Sequence, residues 1–562
     1  MSAMSYDYVR TRFAPISWRL TAIAMFTLVV AVFAATIKVV PYGRAVWDFI
    51  GILDGAYRIG LGQVPHVDFS SNIGPLSLYT TYWAERLFPN GQPFIGMHAM
   101  VWFIAVPPFA VLATRIPSGW GFAASFAILA VTILAPYTLD PTMLSEISYF
   151  ATYNRFATAL LFLAGIWFVL PKGRGDGLLL GYILIVLALF KITAAFAMLG
   201  LVGGAVLLGR AQLTTALVML VTMVVAAAII QFHSGLVSGY IHEIITLIEL
   251  NSGLNKGGSI YRLAQLTSRN WIPLGVTLTI VIFAIREQNF GAALRRPIEG
   301  LHQMAVRQRF VVDTALVVLV ALVAESQNTG GVGLIAAAAM LLHPNLWAQR
   351  GWRVTAAAVL GAALVFPLAD TIEKRVVSTV VREQQGTTEH AFSKLFPGMR
   401  LPAQTLAGSD FFTRLRLEWL PYLSEIYARG FDLDGDPSST SPAYRAALAT
   451  SVVEAADQFQ KRGYAAKANH YATINFVDPF PRLLGLESAR GTTLYMDSPR
   501  TLPVFSNAQA ADYLALADGV FFEKCGLRGA ADTNQATFRA VLDRGFVRYS
   551  LHPCWDFYSR NR

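Results

Sequence analysis

Long runs of apolar residues, each bounded by polar or charged positions, make up most of the first 369 residues of the chain. A membrane-spanning helix needs about 20 apolar residues, so these runs predict transmembrane helices. The run from 177 to 209 is too long for one helix and is interrupted only by Lys191, which predicts two short spans that turn there. The pattern predicts eleven spans, at 18–41, 94–114, 119–138, 155–171, 176–190, 193–209, 213–232, 271–285, 310–325, 329–344 and 354–369.

The last part of the chain, 370–562, has the mixed pattern of a soluble protein and predicts a separate α/β domain after the membrane domain of 1–369. Its periodicity predicts helices at 444–460 and 507–516 and strands at 470–477 and 491–495. Both cysteines of the chain, Cys525 and Cys554, lie in this domain. In an oxidising compartment they could form a disulfide, and otherwise they are two free thiols; the sequence leaves both alternatives open.

Composition agrees with a membrane protein, because 54% of the residues are hydrophobic and only 14% are charged, whereas soluble proteins average about 25% charged residues. The net charge of +10 does not indicate a nucleic-acid partner, since Lys and Arg gather at the ends of the apolar runs, where they orient membrane helices. Arg10, Arg12 and Arg19 precede the first span, which predicts a cytoplasmic N-terminus. The first run lacks a small-residue cleavage site and is predicted to remain as a signal anchor. Eleven spans then place the C-terminal domain outside the cytoplasm.

The loop after the first span, 43–93, is too long and too patterned for a plain connector. Asp48 lies just past the end of that span and is followed by an amphipathic helical pattern over 49–61. A carboxylate at the boundary of water and lipid suits a general base; the alternative is a solvated loop acid or the N-cap of the helix. Asp54, six residues further on, lies about 600° round the helix from Asp48 and is predicted to face solvent.

This loop contains the pattern W-D-x5-D-G-A-Y-R-I-G-L-G-Q-V-P-H-V-D-F-x2-N-I-G-P-L. The pattern resembles the first external loop of the GT-C glycosyltransferases, multi-spanning enzymes that use polyprenyl-phosphate sugars, such as the aminoarabinose and mannosyl transferases. Asp48 matches the acid of that family, and 64–69 matches its P-Y-x-D-F stretch. The A-L-F-K-I-T stretch around Lys191 is also similar to a recurring element of the family. The resemblance covers roughly 18–200, and the later spans only in outline. It implies a GT-C-like α-helical polytopic fold.

The resemblance implies transfer of a sugar from a polyprenyl phosphate to an envelope glycan or lipid, with inversion at the anomeric centre. The phosphate is already a good leaving group, so the protein supplies a base for the acceptor hydroxyl, here Asp48, and cations for the departing phosphate. Lys191, as an intramembrane charge, and Arg155, as a planar fork, are the cation candidates. Tyr153 and Asn154 could meet sugar hydroxyls. The alternatives are a snorkelling lysine and an interfacial arginine anchor.

Three further residues complete the candidate substrate-binding set. Asp68 either binds the acceptor or caps a turn. His66 stands where the family has a tyrosine, and it either adds a titratable group or has no role. Glu325, in a predicted polar hairpin, either lines the same site or lies in a solvated turn. Many relatives have a second acid directly after the first, but Phe49 stands there, so a divalent metal is unsupported and no cofactor is predicted.

Other classes of protein remain as alternatives. A transporter or flippase of envelope lipids often has two similar halves, which this sequence lacks, and it has no use for the patterned 43–93 loop. A membrane-anchored receptor would not need eleven spans. An O-antigen ligase or polymerase would place essential basic residues in a late external loop. The predicted external loop 233–270 is such a loop, so this alternative remains open. No Walker A or Rossmann fingerprint supports a nucleotide-sugar site. The predicted location, which rests on the family resemblance, is the bacterial inner membrane; the membrane of the endoplasmic reticulum fits the physical pattern equally well.

Overall fold

The computed structural model describes residues 16–43, 45–135, 148, 149, 151–252, 309–326, 334–343, 352–384, 386–403, 442–525 and 529–561, with scattered residues at 271–282 and 405–418. Helices dominate the first part of the chain. They are α1 (Ile16–Thr36), α2 (Val46–Gly60), α3 (Pro75–Leu87), α4 (Pro93–Ala113), α5 (Gly119–Leu134), α6 (Thr152–Val169), α7 (Asp176–Phe190), α8 (Ile192–Leu207), α9 (Leu213–Ser234), α10 (Leu236–Ser252), α11 (Arg309–Ser326) and α12 (Trp352–Gln384), with a 3-10 helix at Ile335–Leu342.

Four of the described helices, α1, α4, α6 and α9, are long and apolar enough to cross a membrane, and the apolar helices α5, α7 and α8 are shorter. Helix α6 is central, since 94% of its residues are buried, whereas only 6% of α9 is buried. Helix α9 instead exposes large apolar side chains such as Phe232 and Ile229. A continuous apolar surface of this kind is stable against lipid, so the chain is an integral membrane protein.

The interruption predicted at Lys191 is present in the structure. Helix α7 ends at Phe190, Lys191 has extended backbone angles (φ −160°, ψ 106°), and α8 begins at Ile192. The predicted total of eleven spans is not confirmed. One of those spans, 271–285, lies largely outside the described residues, so the total stays a prediction.

Two late segments differ from the predicted spans. Within 329–344 the described residues form a 3-10 helix of only eight residues. Its alanines approach α6 so closely that a Cβ atom on Gly165 would lie 2.9 Å from that of Ala339. Helix α12 has 33 residues, a length of about 50 Å. It extends past the predicted span 354–369 and crosses the proposed domain boundary at 370, which stays a prediction.

The strands form two sheets. A small sheet has the order β1-β3-β2, in which β1 (Val40–Pro41) pairs parallel to β3 (Met399–Pro402), and β2 (Thr387–Glu389) pairs antiparallel to β3. The chain directly after the first span is thus tied to the segment that follows α12. The larger sheet has the order β5-β4-β6-β8-β7. Its strands are β4 (His470–Ile474), β5 (Glu487–Ser488), β6 (Gly519–Glu523), β7 (Phe546–His552) and β8 (Trp555–Arg560).

Helices flank the larger sheet and complete a small α/β region in the C-terminal part of the chain. Strands β4, β5 and β6 are parallel, and β8 is antiparallel to both β6 and β7. All five residues of β6 are buried, as expected for a strand covered on both faces. Cys525 and Cys554 are joined by a disulfide. The other helices of this region are α13 (Phe392–Leu395), α14 (Pro442–Lys461), α15 (Phe480–Leu484), α16 (Asn507–Tyr513) and α17 (Gly529–Gly545), with a 3-10 helix at Tyr464–Lys467.

Candidate active site

Helix α2 positions Asp48. The chain turns sharply into this helix at Ala45, whose backbone is left-handed (φ 58°). Eleven of the fifteen residues of α2 are buried, but Asp48 is only half-buried. It lies in the first turn, where N–H groups without helical partners favour a negative charge. The helix therefore presents a carboxylate at its otherwise buried N-terminal end.

The C-terminal domain packs along α2 through a buried ionic cluster. Arg58 is fully buried and donates hydrogen bonds to Asp54 (2.8 Å), Asp478 (2.9 Å) and the Thr492 hydroxyl (2.8 Å). The prediction that Asp54 faces solvent is wrong, because its side chain is only 1% exposed. A helical wheel cannot include a partner of this helix that lies 420 positions later in the chain, as Asp478 does from Arg58.

This cluster has two carboxylates for one guanidinium. Burial first, and the negative charge of Asp54 second, raise the pKa of Asp478 to about 7. Burial raises the pKa of Asp54 as well, against the opposing charge of Arg58. At neutral pH the cluster therefore binds a proton more readily than isolated aspartates do.

Asp68 also connects the 43–93 loop to the C-terminal domain. One carboxylate oxygen accepts a hydrogen bond from the Val64 N–H (2.8 Å), and the other pairs with Arg490 (2.6 Å). The Gly491 N–H donates to the Asp68 carbonyl (2.6 Å), and the Ser70 N–H donates to the Thr492 carbonyl (2.9 Å). These contacts match the turn-capping alternative. The 491–495 segment, predicted as a strand, forms only an isolated bridge here, between Thr493 and Ser70. Substrate binding by Asp68 stays a prediction.

Gly74, in the N-I-G-P-L part of the loop motif, lies against the interruption at Lys191. A Cβ atom at Gly74 would lie 2.3 Å from the carbonyl oxygen of Leu189 and 2.4 Å from that of Phe190, so only glycine fits. The two sequence stretches that resemble the same family are therefore in direct contact, although more than a hundred positions separate them.

Lys191 lies at the centre of several predicted site residues. Its ammonium donates to the Oδ1 atom of Asn154 (2.5 Å) and lies 5.7 Å from the ring centre of Tyr153. Glu325, at the end of α11, is near enough to interact electrostatically with it. The two polar side chains from α6 and the carboxylate from α11 therefore surround the one cation between α7 and α8.

Tyr153 connects this group to Asp48. The Asp48 carboxylate and the Arg500 guanidinium both interact electrostatically with the Tyr153 hydroxyl. Arg500 lies in a turn of the C-terminal domain, where its side chain is 68% exposed and pairs with Asp497 (3.2 Å). The side chain of Asn251 donates to the Arg500 carbonyl (3.0 Å). We call Asp48, Tyr153, Asn154, Lys191, Glu325 and Arg500 the Asp48 cluster.

Arg500 is the member of this cluster that sequence reasoning missed. It stands in a D-S-P-R-T stretch of an ordinary soluble pattern, and nothing in that stretch indicates a membrane-proximal site. Tyr153, by contrast, is predicted with Asn154 to contact sugar hydroxyls, and the structure places its ring next to Lys191. The signal that finds Arg500 is the packing of the C-terminal domain against the 43–93 loop, which needs three-dimensional structure.

Arg155 directly follows Asn154 in α6 and makes its described side-chain contacts with α4 and with the end of α5. Its guanidinium is fully buried, donates to the carbonyl of Ala135, and lies 2.7 Å from the Nε2 atom of His98. These contacts tie α6 to α4 and α5 in the helical core. Phosphate binding by Arg155 stays a prediction that its contacts do not favour.

His66 links the 43–93 loop to helix α10. It has a left-handed backbone (φ 65°), its Nδ1 atom pairs closely with the Glu243 carboxylate, and its ring packs on Tyr240 at 4.7 Å. The Ser71 N–H also donates to Glu243 (3.2 Å). Substrate binding by His66 stays a prediction, and the structure pairs its side chain with α10.

The Asp48 cluster brings together two half-buried carboxylates, those of Asp48 and Glu325, two cations and neutral hydrogen-bonding groups. Such a set can take a proton from a hydroxyl and hold an anion nearby. Within the part of the chain that the structure describes, no group of three or more His, Cys, Asp or Glu side chains could hold a metal ion.

Comparison with known proteins gives few matches. No family model matches the sequence, and no curated protein matches it. Two solved structures of ArnT from Cupriavidus metallidurans, one bound to undecaprenyl phosphate and one in the apo state, are similar to this chain. Their TM-scores are 0.43, their sequence identities are 12% and 13%, and each alignment covers 97% of this chain and 98% of the solved one.

Proposed function

We propose that this chain is a GT-C-like membrane glycosyltransferase that moves a sugar from a polyprenyl phosphate to an extracytoplasmic glycan or lipid of the bacterial envelope. The observation that carries the proposal is the Asp48 cluster. Its carboxylate comes from the motif that resembles the GT-C loop, and its cation Lys191 comes from the second stretch with the same resemblance. The contact of Gly74 with the end of α7 supports the assignment of both stretches to one site.

The reaction follows from these groups. The Asp48 carboxylate takes the proton of the acceptor hydroxyl, whose oxygen attacks the anomeric carbon from the face opposite the phosphate. The bond between that carbon and the phosphate oxygen breaks, and its electron pair leaves with the polyprenyl phosphate. Lys191 and Arg500 stabilise the negative charge of the departing phosphate. The configuration at the anomeric carbon inverts, and the proton on Asp48 passes to solvent.

The roles of the remaining residues follow from their positions. Asn154 and Tyr153, beside Lys191, suit hydrogen bonds to the sugar, and Glu325 balances the charge of Lys191. We keep Asp68 and His66 as candidate acceptor-binding residues of the same loop, although the contacts described above give both of them structural partners.

The decisive experiment compares wild type with Asp48→Asn on a panel of polyprenyl-phosphate sugars, following release of the lipid phosphate. Loss of a general base costs about 10²–10⁴-fold in turnover, so we expect the substituted protein to lose nearly all activity while its thermal unfolding is unchanged. Glu85→Gln is the matched control, because Glu85 is an acid of the same loop whose carboxylate pairs with Arg482 at the domain surface (2.7 Å). It should retain full turnover.

Each other outcome has a definite meaning. Equal turnover by wild type and Asp48→Asn would remove Asp48 from the mechanism and make Asp68 the next acid to test. If wild type releases no phosphate from any donor, the glycosyltransferase proposal fails and the transporter alternative gains support.

A further inference from the structure

The C-terminal domain reaches the backbone of Asp48 itself. The Tyr495 hydroxyl donates a hydrogen bond to the Asp48 main-chain carbonyl, at 2.6 Å. Tyr495 is 5% exposed. Burial, and after it the charge of Asp48, raise the pKa of Tyr495 well above its usual range, so the hydroxyl keeps its proton and remains a donor. A carbonyl oxygen has two lone pairs and can therefore accept this bond in addition to one from its own helix.

The ring of Tyr495 lies directly on α2. A Cβ atom on Gly51 would come within 2.5 Å of the ring, so glycine at this position leaves the space that the ring fills. The backbone around Tyr495 is fixed in turn, because the Thr501 hydroxyl donates to the Tyr495 carbonyl (2.7 Å) and the Leu494 N–H donates to the Ser70 carbonyl (3.0 Å). Both α2 and the segment around Tyr495 are therefore shaped for this contact.

We propose that Tyr495 is a positioning residue that holds the first turn of α2, so that the C-terminal domain completes the active site. This inference rests on the proposed function, with Asp48 as the base. The N–H groups of the first turn lack the usual helical partners four residues earlier, and the Asp48 N–H donates instead to the Ala45 carbonyl (3.0 Å). A first turn is therefore less restrained than a helix interior, and a small misplacement of a catalytic group costs much of its rate. The hydroxyl of Tyr495 removes that freedom.

Tyr495→Phe tests this role because it deletes the hydroxyl and keeps the ring against Gly51. The chain offers a matched control in Tyr57→Phe. The Tyr57 hydroxyl also donates to a main-chain carbonyl across the boundary between α2 and the C-terminal domain, that of Leu486 (3.0 Å), but nine residues away from Asp48. Each variant loses one tyrosine hydrogen bond across the same boundary.

We expect Tyr495→Phe to lower kcat about tenfold while KM for the donor stays within about twofold, and Tyr57→Phe to keep the kcat of wild type. The acidic limb of the pH profile of kcat, which reports the base, should move in Tyr495→Phe only. Amide hydrogen exchange of the peptide around Asp48 should become faster in Tyr495→Phe and not in Tyr57→Phe, a measurement that needs no turnover.

Equal kcat and equal exchange in the two variants would overturn the positioning role and leave Tyr495 as one more packing residue. Asp48→Asn, assayed beside them, separates this failure from failure of the proposed function. If Asp48→Asn is inactive while the two tyrosine variants match, only the inference about Tyr495 is wrong. If Asp48→Asn is fully active, the base assignment is wrong and the positioning role falls with it.

Discussion

At the scale of single residues, two independent observations indicate a functional role for Lys191, one from the sequence and one from the structure. It is the one charge within the long apolar stretch 177–209, and its ammonium is held by Asn154 beside Tyr153. A lysine that only snorkels needs no such partners. The contacts therefore favour an anion-binding role over a purely interfacial one.

We expect Lys191→Met to reduce donor turnover by about 10²-fold, because an oriented charge that stabilises the leaving group is lost. Lys191→Arg should recover part of the activity, since it keeps the charge but not the compact shape of the ammonium. The measurement is the same lipid-phosphate release assay, with donor binding measured separately.

Lys172→Met is the control for that prediction. Lys172 lies beyond the opposite end of α6, where its ammonium donates to the carbonyls of Trp167, Phe168 and Leu170. It is also a lysine next to an apolar helix, but far from Asp48. If both methionine variants lose turnover to the same extent, Lys191 acts on the fold and not on the substrate.

The sequence alone predicted some residues of the candidate site and missed others. Asp48, Lys191, Asn154 and Glu325 were named from motif and charge, and the structure brings them into one cluster. Arg500 and Tyr495 could not be found, because nothing local marks a residue of one domain that packs on another. Asp54 was misassigned for the same reason.

At the scale of elements, the docking of α2 depends on protonation. In the cluster of Asp54, Arg58 and Asp478, the pKa of Asp478 in the folded protein is about 7, whereas an aspartate in an unfolded chain has a pKa of about 3.9. The folded state therefore binds more protons than the unfolded state between these two values. The stability from this group is fully present below about pH 4 and is lost as the pH rises through about 7.

We expect the unfolding temperature of the purified protein to show a component that falls as the pH rises from about 4 to about 7, and Asp478→Asn to remove that component. Asparagine cannot ionise, and it keeps a carbonyl oxygen for Arg58. Thermal unfolding curves of the two proteins over this range provide the measurement. Parallel pH dependences would show that Asp478 is ionised in the folded protein and that the cluster does not titrate.

Element boundaries were predictable where an apolar run ended sharply. The predicted 176–190 coincides with α7, and 94–114 differs from α4 by one residue at each end. The prediction failed where tertiary contacts decide the conformation. The alanine-rich 335–342 forms a 3-10 helix against α6, and 491–495 follows the 43–93 loop instead of joining the sheet.

At the scale of the whole molecule, the proposed topology places the C-terminal domain outside the cytoplasm. The disulfide between Cys525 and Cys554 agrees with an oxidising compartment. Because both native cysteines are bonded, a cysteine introduced on the surface would be the free thiol available to a reagent.

We expect Ala508→Cys to react with a membrane-impermeant maleimide on intact spheroplasts, because this exposed position begins α16 of the C-terminal domain. Gln212→Cys, at the exposed start of α9 next to the basic Arg210, should react only after the membrane is permeabilised. The measurement is the gel shift of each variant before and after lysis. The reverse labelling pattern would invert the topology and with it the side on which the acceptor lies.

The bond between Arg58 and Asp478 also has a consequence for biosynthesis. The two residues are 420 positions apart, and chains are synthesised at about 5–20 residues per second. For roughly 20–80 s, Arg58 and Asp54 of α2 therefore lack the C-terminal residues that later bury them. During that interval α2 cannot adopt its final packing, and the Asp48 carbonyl lacks its hydrogen bond from Tyr495. In the proposed topology, most of the membrane helices are therefore synthesised before the proposed catalytic helix is fixed in place, and we expect the nascent chain to gain activity only after its last third has crossed the membrane and folded.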